Sequence, residues 1–170
     1  MNIRPTRLLV GAAALLASVS RPANAGDAFL RAGAIFHPRD VGFEGRWRVS
    51  FGSDYPVNLG ETVFVGFEAQ TSVYRQDVVG GGTATFVPLN GLVNVKVKAS
   101  ALDVRPYGGG GIGLLSQFSQ IQSDFEWDND LGFQLLGGIE LGRLNLELQL
   151  QRAFQSGAET SFAFFVGFIF

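Results

Sequence analysis

Ser161-Phe-Ala-Phe-Phe-Val-Gly-Phe-Ile-Phe170 is the stretch that decides the fold. At a period of two, Phe162, Phe164, Val166, Phe168 and Phe170 share one face, and Ser161, Ala163, Phe165, Gly167 and Ile169 share the other. A strand with so bulky an apolar face normally hides it in a core. Nothing in this sequence follows Phe170 to cover that face, and lipid is the cover that remains. Large apolar residues turned outward, with small or polar ones turned inward, are the pattern of a transmembrane barrel strand.

The same period runs back through the chain. Eight strands are expected, at 28–36, 41–53, 62–74, 85–98, 103–118, 124–141, 144–154 and 161–170. In the second, Phe43, Gly45, Trp47, Val49 and Phe51 oppose Glu44, Arg46, Arg48 and Ser50. In the third, Val63, Val65, Phe67 and Ala69 oppose Gly66, Glu68, Gln70 and Ser72. The fourth sets Val87, Leu89, Val93, Val95 and Val97 against Asn90, Asn94, Lys96 and Lys98, and the seventh sets four alternating leucines against Asn145, Glu147, Gln149 and Gln151. A soluble barrel shows the same alternation with the apolar face inside. It would then carry Gly33, Gly66, Gly109, Gly111, Gly113, Gly132 and Gly138 on its exterior, whereas these small residues suit a tight interior. The expected fold class is therefore all-β, an eight-stranded antiparallel transmembrane barrel in up-and-down order.

The N-terminus fits export. Arg4 and Arg7 precede an apolar run from Leu8 to Val19, and Ala23-Asn24-Ala25 has the small-x-small form of a cleavage site. That run is too short for a membrane-spanning helix, which needs about 20 residues. The expected division is a signal peptide over 1–25 and a barrel domain over 26–170. The chain has no Cys, which excludes disulfides and a lipid-modified N-terminal Cys. Loss of Arg4, Arg7 and Arg21 with the signal leaves ten basic residues against fifteen acidic ones, a formal charge of −5. That balance argues against nucleic acid as a partner.

With both barrel ends on one side, outer loops are expected at 37–40, 75–84, 119–123 and 155–160, and inner turns near 54–61, 99–102 and 142–143. Aromatics gather at the rims this order implies: Phe36, Phe43, Phe86, Phe118, Phe125, Trp127 and Phe162 at the outer one, Phe51, Tyr55, Phe168 and Phe170 at the inner one.

Three features together, the signal sequence, Val104-Arg-Pro-Tyr-Gly-Gly-Gly-Gly-Ile-Gly113 and the terminal strand ending in Phe170, resemble the small eight-stranded outer-membrane barrels of the OmpA-type and opacity-type superfamily. The resemblance implies residence in a bacterial outer membrane among lipids and lipopolysaccharide. It also implies recognition of the last strand, through Phe170, by the barrel-assembly machinery; a monomer is expected. Unlike full-length OmpA-type proteins, the sequence carries no peptidoglycan-binding domain after the barrel.

The inward faces would carry Arg31, Glu44, Arg46, Arg48, Glu68, Lys96, Lys98, Arg105, Glu140 and Glu147. Charges of both signs in a closed lumen pair, because isolated ones are costly. An eight-stranded barrel is just wide enough for its own side chains to fill. Phe29, Phe64, Leu92, Leu136 and Phe165 would narrow it further. The expectation is a plugged lumen; the alternative is a narrow charge-lined path. The stretch Asp124-Phe-Glu-Trp-Asp-Asn-Asp130 would stack Asp124, Glu126, Asp128 and Asp130 inward, where they could hold a divalent cation, pair with Arg31, Arg39 or Arg75, or stay hydrated.

Enzymes of lipopolysaccharide exist in this fold. PagL-type deacylases carry His-x-Ser near the end of the seventh strand, where this chain reads Gln151-Arg-Ala-Phe-Gln-Ser156. The only His, His37, lies near Asp40 in the first loop, and the helix that starts PagP-type transferases is absent. No catalytic, cofactor-binding or metal-ligating residues are expected. The expected role is a non-catalytic outer-membrane barrel, structural or engaged in surface interaction, with a small passive pore as the alternative and a lipopolysaccharide-modifying enzyme as a distant third. Of the loops, only that holding Gly80-Gly81-Gly82 and the 119–130 region offer a binding surface.

Overall fold

The computed structural model describes residues 26–39, 42–57, 62–77, 82–99, 104–121 and 124–170. The expected signal segment 1–25 lies outside them, as do Asp40 and the side chains of His37, Arg39, Glu44 and Asp124. The strands are β1 (Asp27–Arg39), β2 (Gly42–Val57), β3 (Val63–Thr71), β4 (Tyr74–Asp77), β5 (Thr83–Lys98), β6 (Val104–Ile121), β7 (Asp124–Leu141), β8 (Leu144–Ala153) and β9 (Thr160–Ile169). Every pairing is antiparallel between chain neighbours, except that β1 also pairs with β9 and β3 with β5. The sheet closes on itself, and no edge is left where the ring is complete.

Two expectations need correction. The third strand is not continuous: it lapses at Ser72 and Val73 and resumes as β4. Its register against β5 is the same on both sides, Thr71 facing Leu89 and Tyr74 facing Phe86. The gap falls opposite Pro88, which has no N–H to give to a ladder, while the Thr71 hydroxyl donates to the Pro88 carbonyl at 3.0 Å. β3 and β4 are thus one stave of eight. The strands also run further than expected, with β1 reaching Arg39, β2 reaching Val57 and β6 reaching Ile121, so residues 54–57 and 119–121 belong to strands.

The barrel is inside-out relative to a water-soluble protein. Outward Trp47 is 80% exposed, Ile112 64% and Leu148 63%, whereas inward Arg31 and Glu68 are 1–2% exposed. Water would not tolerate so continuous an apolar exterior, and lipid requires one. The expected inward aromatics and leucines, Phe29, Phe64, Leu92, Leu136 and Phe165, are all buried. Inward glycines make room for large neighbours. A Cβ at Gly138 would lie 2.6 Å from the Tyr107 hydroxyl, and one at Gly167 would strike the Arg31 side chain. The tight β7–β8 hairpin turns through Gly142 at φ 60°, a conformation that disfavours a side chain.

Candidate functional site

Strand alternation sends one polar ladder from each stave into the lumen, and the two ends of that lumen differ. We call the end holding Asp27 and Ile169 the turn end and the opposite one the loop end. At the turn end, Lys98 from β5 meets Glu140 of β7 at 2.8 Å and Asp54 of β2 at 3.2 Å. Arg105, at 3.4 Å, also serves Glu140. Lys96, one step inward, lies 3.1 Å from Asp54 and 3.9 Å from Glu147. The Tyr107 hydroxyl donates to Glu147 at 2.7 Å and accepts from Asn145 at 2.8 Å.

At mid-height Arg31 bridges Glu147 and Glu68, the latter at 2.8 Å, with its guanidinium 4.0 Å over the Phe29 ring. Glu68 accepts from Ser50 (2.6 Å), Gln70 (2.8 Å), Asn94 (2.9 Å), Gln149 (3.0 Å) and Gln134 (3.1 Å). Such saturation is what lets a buried carboxylate stay charged without a large penalty. Above it lies a layer of amides in which Gln151 donates to Gln70 and Gln134. Arg48 crowns that layer, giving Nη1 to Gln151 at 2.7 Å and to Gln70 at 3.1 Å.

Toward the loop end the lumen opens into a vestibule of about 760 Å³. Arg46, Arg48, Ser72 and Tyr74 line one wall, and Asp128 and Asp130 on β7 line another. Arg46 sits 3.5 Å over the Tyr74 ring and donates to Gln76 at 3.5 Å. These contacts span a gap in the ladder, because β2 and β3 pair only from Val49 and Thr71 downward. Outside the rim, Phe118 and Trp127 pack at 4.4 Å, and the Trp127 indole donates to Asn129.

The inward charges expected from alternation are in the lumen, apart from Glu44, whose side chain lies outside the described residues. Phe125 and Trp127 point outward as expected, and Asp128 and Asp130 face the vestibule. Arg31 is not their partner, since it turns the other way to Glu68 and Glu147. Among the described residues no group of three or more His, Cys, Asp or Glu side chains could hold a metal ion. Sequence reading missed Asp54, which was placed in a turn and instead pairs with both lumen lysines. It also missed the shell of donors around Glu68. The signal for both was the phase, had β2 been extended to Val57.

No protein-family model matches the chain, and no curated protein matches it in sequence. Solved structures do. Neisserial surface protein A is 10% identical, with a TM-score of 0.68 over 84% of this chain and 94% of that one. The attachment invasion locus protein Ail of Yersinia pestis, solved in complex with the heparin analogue sucrose octasulfate, is 11% identical, with a TM-score of 0.58 over 86% of this chain and 99% of that one. This chain therefore has the closed eight-stranded antiparallel fold of small outer-membrane barrels.

Proposed function

We propose that the protein is a non-catalytic barrel of a bacterial outer membrane, with its loop end outside the cell, a plugged lumen and a structural or surface-interaction role. The observation that carries the reading is the Arg31–Glu68–Glu147 layer, where one guanidinium from β1 meets carboxylates from β3 and β8 and five further donors close on Glu68. A path for ions would have to break that layer, leaving charges buried without partners at several kcal/mol each. The signal-like segment, the aromatic rims and Phe170 at the end of the last strand support export and assembly in that membrane. Its immediate partners are then membrane lipids and lipopolysaccharide.

Planar-bilayer recording of the refolded 26–170 chain tests the plug. Folded barrel that leaves the bilayer silent is the expected result. Stable unitary steps that change when Arg48 is neutralised would make the protein a small pore instead.

A further inference from the structure

Among the described residues the buried charged side chains balance in number, with Arg31, Arg48, Lys96 and Lys98 against Asp54, Glu68, Glu140 and Glu147. They do not balance in space. All four carboxylates are taken by Arg31, Lys96, Lys98 and the half-buried Arg105. Arg48, only 6% exposed, is held by two neutral amide oxygens, and its Nε has no hydrogen-bond partner. Glu68, the carboxylate whose charge reaches Arg48, is already bound by Arg31, and a buried cation with no carboxylate in direct contact is an arrangement proteins seldom keep unless something supplies one.

A second unpartnered group lies beside it. Val49 and Thr71 are the last ladder pair between β2 and β3, so Arg48 and Ser72 come next, facing one another across the seam. Both line the vestibule, and the buried Ser72 hydroxyl also lacks a partner. Arg46, two residues further along the same inward face, adds positive charge above them. A guanidinium fork beside a hydroxyl donor is a receptor for a planar or tetrahedral oxyanion.

We infer that the vestibule floor binds the phosphate or carboxylate group of a small anion, held by Arg48 and Ser72. This rests on the plugged lumen proposed above, because the plug forms the floor. The occupant enters from the loop end and is small, since the vestibule has about 760 Å³ to offer. It is not a polyanion. β7 stands four staves from β2, half-way round the ring, and its Asp128 and Asp130 would repel a second negative group across the cavity.

The test uses the refolded barrel in nanodiscs, following the arginine Nε–H resonances by NMR while phosphate replaces chloride at constant ionic strength. A saturable shift of the Arg48 resonance with a millimolar or tighter midpoint is expected. The midpoint weakens at least fivefold in Ser72→Ala, which keeps Arg48 in place as the reporter, and the accompanying shift of the neighbouring Arg46 resonance is lost in Arg48→Gln. Exposed Arg143→Gln, in the β7–β8 turn at the opposite end of the barrel, leaves the midpoint unchanged. A non-saturating drift, or a midpoint that Ser72→Ala leaves alone, overturns the inference. Nanodiscs containing lipopolysaccharide and no free phosphate identify the source. A resonance already at its bound position assigns the site to a headgroup phosphate, and one at its free position assigns it to a soluble anion. A conducting barrel with no saturable shift would sink both this inference and the plug, whereas a silent barrel without the shift sinks this inference alone.

Discussion

The two halves of one lumen, made by the same strands in the same phase, end up as different materials. In the turn-end half, long side chains of opposite sign reach across the axis, and Lys96 and Lys98 share Asp54 while Arg31 joins Glu68 to Glu147. In the loop-end half, the inward positions include short side chains such as Ser72, Ala153 and Ser161, and a cavity of about 760 Å³ remains. Alternation thus decides which face is polar, and side-chain length together with partner sign decides whether that face is solid or hollow. The ladder follows the same division, complete between β2 and β3 below Val49 and lapsed above it.

The sharpest way to break this contrast is to remove the keystone of the solid half. Glu68→Ala strands Arg31 on Glu147 alone and leaves five donors without their acceptor. Its expected cost in urea unfolding from lipid vesicles is about 3–5 kcal/mol, the range for an uncompensated buried charge. A smaller loss is expected from Tyr107→Phe, which takes one donor from Glu147 and one acceptor from Asn145; leaving such groups unpaired costs about 1–3 kcal/mol in the same titration. Asp128→Asn, on the wall of the hollow half, is expected to change stability by less than about 0.5 kcal/mol, since nothing in the plug depends on it. Equal losses in all three variants would show that the halves are not distinct.

Much of this was legible in the sequence because barrel strands obey one rule. Leu144, Leu146, Leu148 and Leu150 against Asn145, Glu147, Gln149 and Gln151 give both faces of β8 without any structure, and the terminal phenylalanines do the same for β9. The sign and phase of Arg31, Glu68, Lys96 and Glu147 pointed to ion pairs across the lumen, and those pairs are there. Other features depend on register around the closed ring, which no local pattern carries. Asp54-Tyr55-Pro56 reads as a turn by its own chemistry, yet pairing with Phe64, Val65 and Gly66 keeps it in β2 and brings Asp54 under the lysines. The lapse between β3 and β4 is set by Pro88 on another strand. Arg31 and Arg48 are equivalent in sequence terms; only the closed barrel gives one two carboxylates and the other none.

The chain's lack of cysteine makes the most direct test clean. Single cysteines at Ala153, on the vestibule wall, and at Ser50, inside the plug, would be challenged with a small water-soluble thiol reagent on the refolded barrel in vesicles. A solid turn-end half under a hollow loop-end half predicts fast labelling of Ala153→Cys and none of Ser50→Cys, with labelling of Ser50→Cys appearing once Glu68→Ala is added. Fast labelling of Ser50→Cys in the otherwise unaltered barrel would mean that water fills the lumen and that the plug does not exist.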